Sequence, residues 1–181
     1  MKLQKVLIFI IAVTFVMSFS GCLAGVKVID IQHISPQGNN LKSWGDNNVN
    51  DGRPSYFDLV VILKNNSPIL KESQKIHVEL WFAKAKDIFT GKAENYSKEI
   101  EEVQKNSKWY LIWKKDILVK DIKPFETKKV KVANINIWNL LENEYNKDQN
   151  NNFDSIVTAW RTKAIVDSSI IEKKVMIDIM F

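Results

Sequence analysis

Ile76-His77-Val78-Glu79-Leu80-Trp81-Phe82 alternates at every step, with Ile, Val, Leu and Phe on one parity and His, Glu and Trp on the other. Successive strand side chains point to opposite faces, so a strict period of two predicts a β-strand with one buried face. The same period recurs outward from this strand. Phe57 to Leu63 (FDLVVIL) is apolar on both parities and reads as a central strand. Val26 and Val28, then Ile29 and Ile31 on the other parity, make an earlier one. Trp109 to Val119 (WYLIWKKDILV) supplies one long strand or two short ones, and Lys128 to Ile137 alternates again. Phe153 to Val166 and Lys174 to Phe181 complete the set. About seven short strands with turn-rich gaps predict a mostly β chain folded as a β-sandwich.

Three stretches break the pattern. Ser35 to Pro54 is rich in Gly, Asn, Asp and Pro and reads as a long loop. Ala93 to Lys105 places Tyr96, Ile100 and Val103 at helical spacing among glutamates, which predicts a short amphipathic helix. Trp138 to Asn152 reads as a helical turn followed by a polar loop. With 181 residues, 45% of them apolar and 26% charged, the chain has the makeup of one globular domain, which the periodicity places at residues 28–181.

The amino end is organised differently. Lys2 and Lys5 precede Val6 to Met17, apolar at every position but Thr14, and a small-residue stretch follows. That order is the layout of a secretory signal. Phe19-Ser20-Gly21-Cys22 resembles a lipobox, the cleavage signal of prokaryotic lipoproteins. The resemblance implies a signal peptide over residues 1–21, cleavage after Gly21, and a two-chain lipid on the Cys22 thiol. Residues 22–27 would then be a lipidated tether holding the domain to the outward face of the cell membrane. Two alternatives stand beside it: a plain secreted protein, and an uncleaved helix over Val6 to Val26, which is 21 residues without a charge. The dense apolar part of that run, Val6 to Met17, spans only about 18 Å of a hydrocarbon core about 30 Å thick. Loss of the first 21 residues removes Lys2 and Lys5 and lowers the net charge from +5 to +3. So small an excess argues against a nucleic-acid partner.

A second resemblance lies in the later half. Lys120 to Val132 (KDIKPFETKKVKV), through Pro124, Glu126, Thr127 and Val130, is similar to the turn before the fifth strand of prokaryotic surface domains of the immunoglobulin-like, CARDB-like type. Phe125 stands where Gly is more common. The segment Val157 to Ile179, with Asp167 and Glu172 about its turn, is similar to the end of such domains. The resemblance implies an immunoglobulin-like fold and a surface location, and no catalytic residues.

Chemistry-bearing residues are few. Cys22 is the one cysteine, so no disulfide forms within the chain. His33 and His77 are the two histidines, too few for a zinc site without carboxylates, and they read as ordinary strand-edge residues. The sequence implies no metal and no cofactor. Asp148 to Asn152 opens like a calcium loop, yet Phe153 stands where Gly must permit the turn; Asp46 to Gly52 has its Gly one residue late. No G-x-S-x-G elbow occurs, and no catalytic triad or carboxylate pair is set by spacing, so the reading is non-enzymatic. Of the six Trp residues, Trp109, Trp113 and Trp160 read as core. Trp81 shares the polar parity with His77, while Trp44 sits in the long loop. These three residues would form a surface for a protein or glycan of the cell envelope, unless the helix over 93–105 covers Trp81. Asn65 and Asn95 fit the N-x-S/T acceptor pattern of an exported chain, which requires them at the surface. The expectation is a membrane-anchored binding or structural module, with an accessory subunit of a transporter or secretion assembly as the alternative. A hydrolase or a calcium-dependent binder is the more distant rival.

Overall fold

Among the residues that the computed structural model describes, 25–44, 54–86, 107–149 and 155–177, eight strands and one helix form. In chain order they are β1 (Val26–Ile34), β2 (Ser43–Trp44), β3 (Tyr56–Asn65), β4 (Lys71–Lys86), β5 (Lys108–Ile122), β6 (Thr127–Asn136), α1 (Ile137–Gln149), β7 (Ser155–Val166) and β8 (Ser169–Ile177). One sheet runs β1-β3-β6, the other β2-β8-β7-β4-β5. All pairings are antiparallel except β2 with β8, which run parallel over two residues. Apart from β2, the strands take the immunoglobulin-like layout, with A, B and E in one sheet and C′, C, F and G in the other. The chain is therefore a mostly β, immunoglobulin-like sandwich.

The decisive stretch behaves as its period requires. Ile76, Val78, Leu80 and Phe82 are fully buried, and His77, Glu79 and Trp81 lie on the outer face. In β3, Phe57, Leu59, Val61 and Leu63 face the same interior. Trp160 of β7 stacks on Phe57, centroids 5.6 Å apart and planes within 6°, so the largest side chains join the two sheets. Such large aromatic surfaces account for much of what a sandwich core gains on burial.

Register shifts explain where strict alternation misleads. In β1 a shift between Val28 and Asp30 leaves Ile29 48% exposed and moves the buried parity from Val26 and Val28 to Ile31 and His33. A bulge inserts one unpaired residue and so exchanges the two faces beyond it. β1 also starts at Val26, buried and paired with Asn65, so the folded body begins inside the stretch read as tether. In β5 a shift opposite Leu80 and Trp81 leaves Ile112 unpaired. Trp109 and Leu111 therefore lie outward with Trp81, while Trp113 pairs with Leu80 and packs against the core. Trp109 is not the core residue that parity with Trp113 predicts.

The helix is longer than a single turn. Asn136 caps it, accepting the Asn139 N–H at Oδ1 over 3.0 Å. Ile137, Leu141 and Glu144 then place one face against the sandwich. The long loop carries more order than its composition predicts: Leu41 is buried in the core, and Ser43 and Trp44 form β2. The expected signal segment with Phe19, Ser20, Gly21 and Cys22, the helix over 93–105, Asn95, and the carboxylates Asp46 and Asp51 all lie outside the described residues. Among the described residues no helix is long and apolar enough to cross a membrane.

Candidate functional site: the outer face of the larger sheet

Register alone brings the polar parity of β4 together with the facing residues of its neighbours. His77 pairs with Asp116 of β5, and Trp81 with Leu111 of β5 and Arg161 of β7. Arg161 in turn pairs with Lys174 of β8. Residues directly opposite in adjacent strands share a face, so these side chains form one continuous surface.

Two parts of that surface are built differently. The first is a polar rail. Lys75 Nζ lies 2.6 Å from Asp116 Oδ2, and Asp116 Oδ1 lies 2.6 Å from His77 Nδ1. His77 Nε2 is 3.1 Å from Glu79 Oε1, and Trp81 Nε1 donates to Glu79 Oε2 over 2.9 Å. Both ring nitrogens of His77 thus face carboxylates, an arrangement that suits two donors and hence the imidazolium. The hydrogen bond to Asp116 does most to raise the His77 pKa; burial opposes it, and the hydrogen bond to Glu79 adds to the rise. Lys75 and then His77 hold the Asp116 carboxyl below its ordinary range. For Glu79 burial pushes upward, but hydrogen bonds from Trp81 and His77 outweigh it and the carboxyl is lowered.

The second part is an aromatic and cationic cluster. The Arg161 guanidinium carbon lies 4.6 Å from the centre of the Trp109 ring and 5.2 Å from that of Trp81. Lys174 Nζ is 5.7 Å from Trp109. Ring faces are electron-rich, so a cation over them is held electrostatically, and Arg adds planar stacking. Arg161 is only 22% exposed, and among the described residues its buried Nε has no hydrogen-bond partner; Glu172 lies 3.6 Å from the guanidinium. The two rings and the Glu172 carboxylate together hold the guanidinium in place.

His77 and Trp81 therefore stand on one face, as expected, but in the middle of the sheet rather than at its edge. Trp44 reaches the opposite edge of the same sheet, its backbone paired with Ile177. Trp109, Arg161 and Lys174 were missed; the Trp-x-Leu before the Ile112 bulge and the polar parity of β7 were the available signals.

His33 departs furthest from expectation. It is fully buried, not a surface edge residue, with Nε2 2.7 Å from Thr162 Oγ1 and its ring edge-on to Phe57 and Trp160. Burial, with the nearby Lys173 charge, lowers its pKa to about 3. The two histidines lie on opposite sides of the larger sheet, so they do not join one site. Asn65 is also corrected: it is 1% exposed, and its carboxamide nitrogen donates to the carbonyls of Ile69, Lys123 and Ile122 at 3.0–3.2 Å. Asn65 thus lacks the surface position that an attached sugar requires.

No protein-family model and no curated protein matches the sequence. Solved structures resemble it only distantly. A beta-D-glucoside glucohydrolase from Trichoderma reesei aligns over 86% of this chain and 19% of its own, at TM-score 0.40 and 8% identity. Beta-glucosidase from Listeria innocua in complex with glucose aligns over 84% and 15%, at TM-score 0.36 and 11% identity. The chain thus spans under a fifth of either protein, and likeness of this degree assigns no activity.

Proposed function

We propose that the protein is a lipid-anchored, non-enzymatic module of the outward membrane face that binds a protein or glycan of the cell envelope through the outer face of its larger sheet. The observation that carries the binding surface is Arg161 held over Trp109 and Trp81 on that face. Aromatic side chains offer large contact area at little loss of conformational freedom, and a guanidinium already fixed by them loses less still on binding. Sugar rings and peptide side chains both stack on such faces. His77, with both nitrogens against carboxylates, is poised to carry charge rather than to accept a proton from a substrate. The anchor rests on Ser20-Gly21-Cys22 after an apolar run. Two acyl chains on Cys22 would hold the protein durably, since each buried methylene contributes about 0.8 kcal/mol.

Tryptophan fluorescence of the detergent-extracted protein, titrated with soluble envelope polysaccharide and with envelope protein, tests the surface. Binding to one fraction is expected, weakened at least tenfold by Trp109→Ala with Trp81→Ala. Equal binding by that variant, or binding to neither fraction, counts against the proposal. Intact mass of membrane-extracted protein tests the anchor. A Cys22→Ala variant that stays membrane-bound with no lipid mass lost would refute it.

A further inference from the structure

The end of the sandwich where β1 begins carries a set of apolar side chains that neither the core nor the outer-face cluster uses. Ile69 is 71% exposed, Leu70 46% and Phe125 59%. They come from two loops, 66–70 between β3 and β4 and 123–126 between β5 and β6, and the loops are tied together. Phe125 N–H donates to the Ser67 carbonyl over 3.3 Å, and Asn65 bonds to carbonyls in both. Lys64 Nζ adds a bond to the Phe125 carbonyl at 2.7 Å. The tips are thus presented together on a stiff base.

Phe125 is held at φ 56°, in the left-handed region that disfavours residues with a Cβ. Its ring is mostly in solvent, so core packing does not account for a bulky residue at a position that suits glycine. Strain kept at an exposed aromatic points to a contact outside the fold.

The start of the domain says what that contact is. The Gly25 carbonyl accepts the Asn66 N–H over 3.0 Å, which fixes the first described residue beside these tips. Cys22 precedes Gly25 by three residues, and three residues reach at most about 11 Å. A lipid on Cys22 therefore brings the bilayer surface to this end and no other. We infer that Ile69, Leu70 and Phe125 seat in the lipid surface that holds the anchor, fixing the domain upright with its β3–β4 and β5–β6 loops downward. This rests on the anchor proposed above. Lys71 and Lys123 flank the tips, but Glu72, Asp121 and Glu126 stand among them, so apolar area rather than charge drives the seating.

The test uses the full chain, extracted from membranes and reconstituted in phosphatidylcholine/phosphatidylglycerol vesicles, with an environment-sensitive thiol dye on Ile69→Cys or, at the far end, Ser55→Cys. A lipid on Cys22 blocks that thiol, so the introduced cysteine alone takes the dye, and dye found on Cys22 reports a failed anchor. Brominated lipids are expected to quench the dye at 69 at least threefold more than at 55, with aqueous iodide showing the reverse. Phe125→Gly, which relieves the left-handed backbone, is expected to keep or raise the unfolding temperature while lowering lipid quenching at 69 at least twofold. A dye at 69 as open to iodide as the dye at 55 overturns the inference and leaves the tips for a protein partner. So does quenching that Phe125→Gly leaves unchanged. Intact mass on the same samples reports the lipid separately, so a failed anchor and a failed seating are told apart.

Discussion

Asn65 organises one end of the molecule from a single buried side chain. Its two amide hydrogens are shared among three carbonyls, and its Oδ1 accepts the Ser67 N–H at 2.9 Å. Each hydrogen bond contributes about 1 kcal/mol net, and the buried Ile122 carbonyl left without its donor adds a desolvation cost. Asn65→Ala is therefore expected to lower stability by about 3 kcal/mol, read as a shift of the urea midpoint at constant slope. The sequence shows Asn65 only as the first residue of an acceptor motif; its real role depends on contacts with residues 57 and 58 positions away, which no local pattern reveals. His77 differs, because its partners follow from strand parity and register. Nuclear magnetic resonance titration should place its pKa above the ordinary histidine value, and Asp116→Asn should lower it, since the Asp116 hydrogen bond is the main cause of the rise. An unmoved pKa in that variant would show that the rail does not set the charge.

At the scale of elements, legibility follows whether a strand keeps its period. β4 is legible because hydrophobic burial alone fixes its parity from Ile76 to Phe82. β1 and β5 are less legible because the shifts at Ile29 and Ile112 depend on pairing with a neighbour strand, and a bulge residue looks like any other apolar residue. That one-residue offset is what turns Trp109 outward, and with it half of the aromatic cluster. α1 was half legible: Asn136 and the Ile137, Leu141, Glu144 spacing were there to see, but its docking depends on a distant cation. Glu144 lies 2.8 Å from Lys84 of β4, with side chains 9% and 10% exposed. Burial pushes the Glu144 carboxyl upward, and Lys147 and Lys84 bring it below its ordinary range. Removing one member of a buried ion pair is costly, so Glu144→Gln is expected to cost about 3 kcal/mol. Lys147→Ala, on the exposed partner, should cost well under about 1 kcal/mol. Equal losses for the two, measured by thermal unfolding, would mean that the pair with Lys84 does not hold the helix.

The whole sandwich is joined across its sheets at His33, where β1 meets Thr162 of β7 between Phe57 and Trp160. Unfolding the molecule exposes this imidazole to water, where its pKa returns to about 6.5. With a folded value of about 3, the unfolded state binds a proton that the folded state refuses throughout the interval between. Stability is then intact above about pH 6.5 and falls by about 1.4 kcal/mol per pH unit below it, about 3 kcal/mol by pH 4.5. His77 acts in the opposite sense, since its raised pKa favours the folded state as pH falls, but it is one-third exposed and its effect is screened. The lowered carboxylates Asp58, Glu79, Asp116 and Glu144 add their losses from about pH 5 downward, where the unfolded chain begins to protonate them. Between pH 6.5 and 4.5 the loss among the described residues is therefore chiefly that of His33. Replacing the pair by His33→Leu with Thr162→Val removes the titrating group without stranding the hydroxyl. Urea unfolding of this variant is expected to give nearly constant stability across that window, while the parent loses about 3 kcal/mol. A variant that loses as much as the parent would place the acid sensitivity elsewhere in the fold.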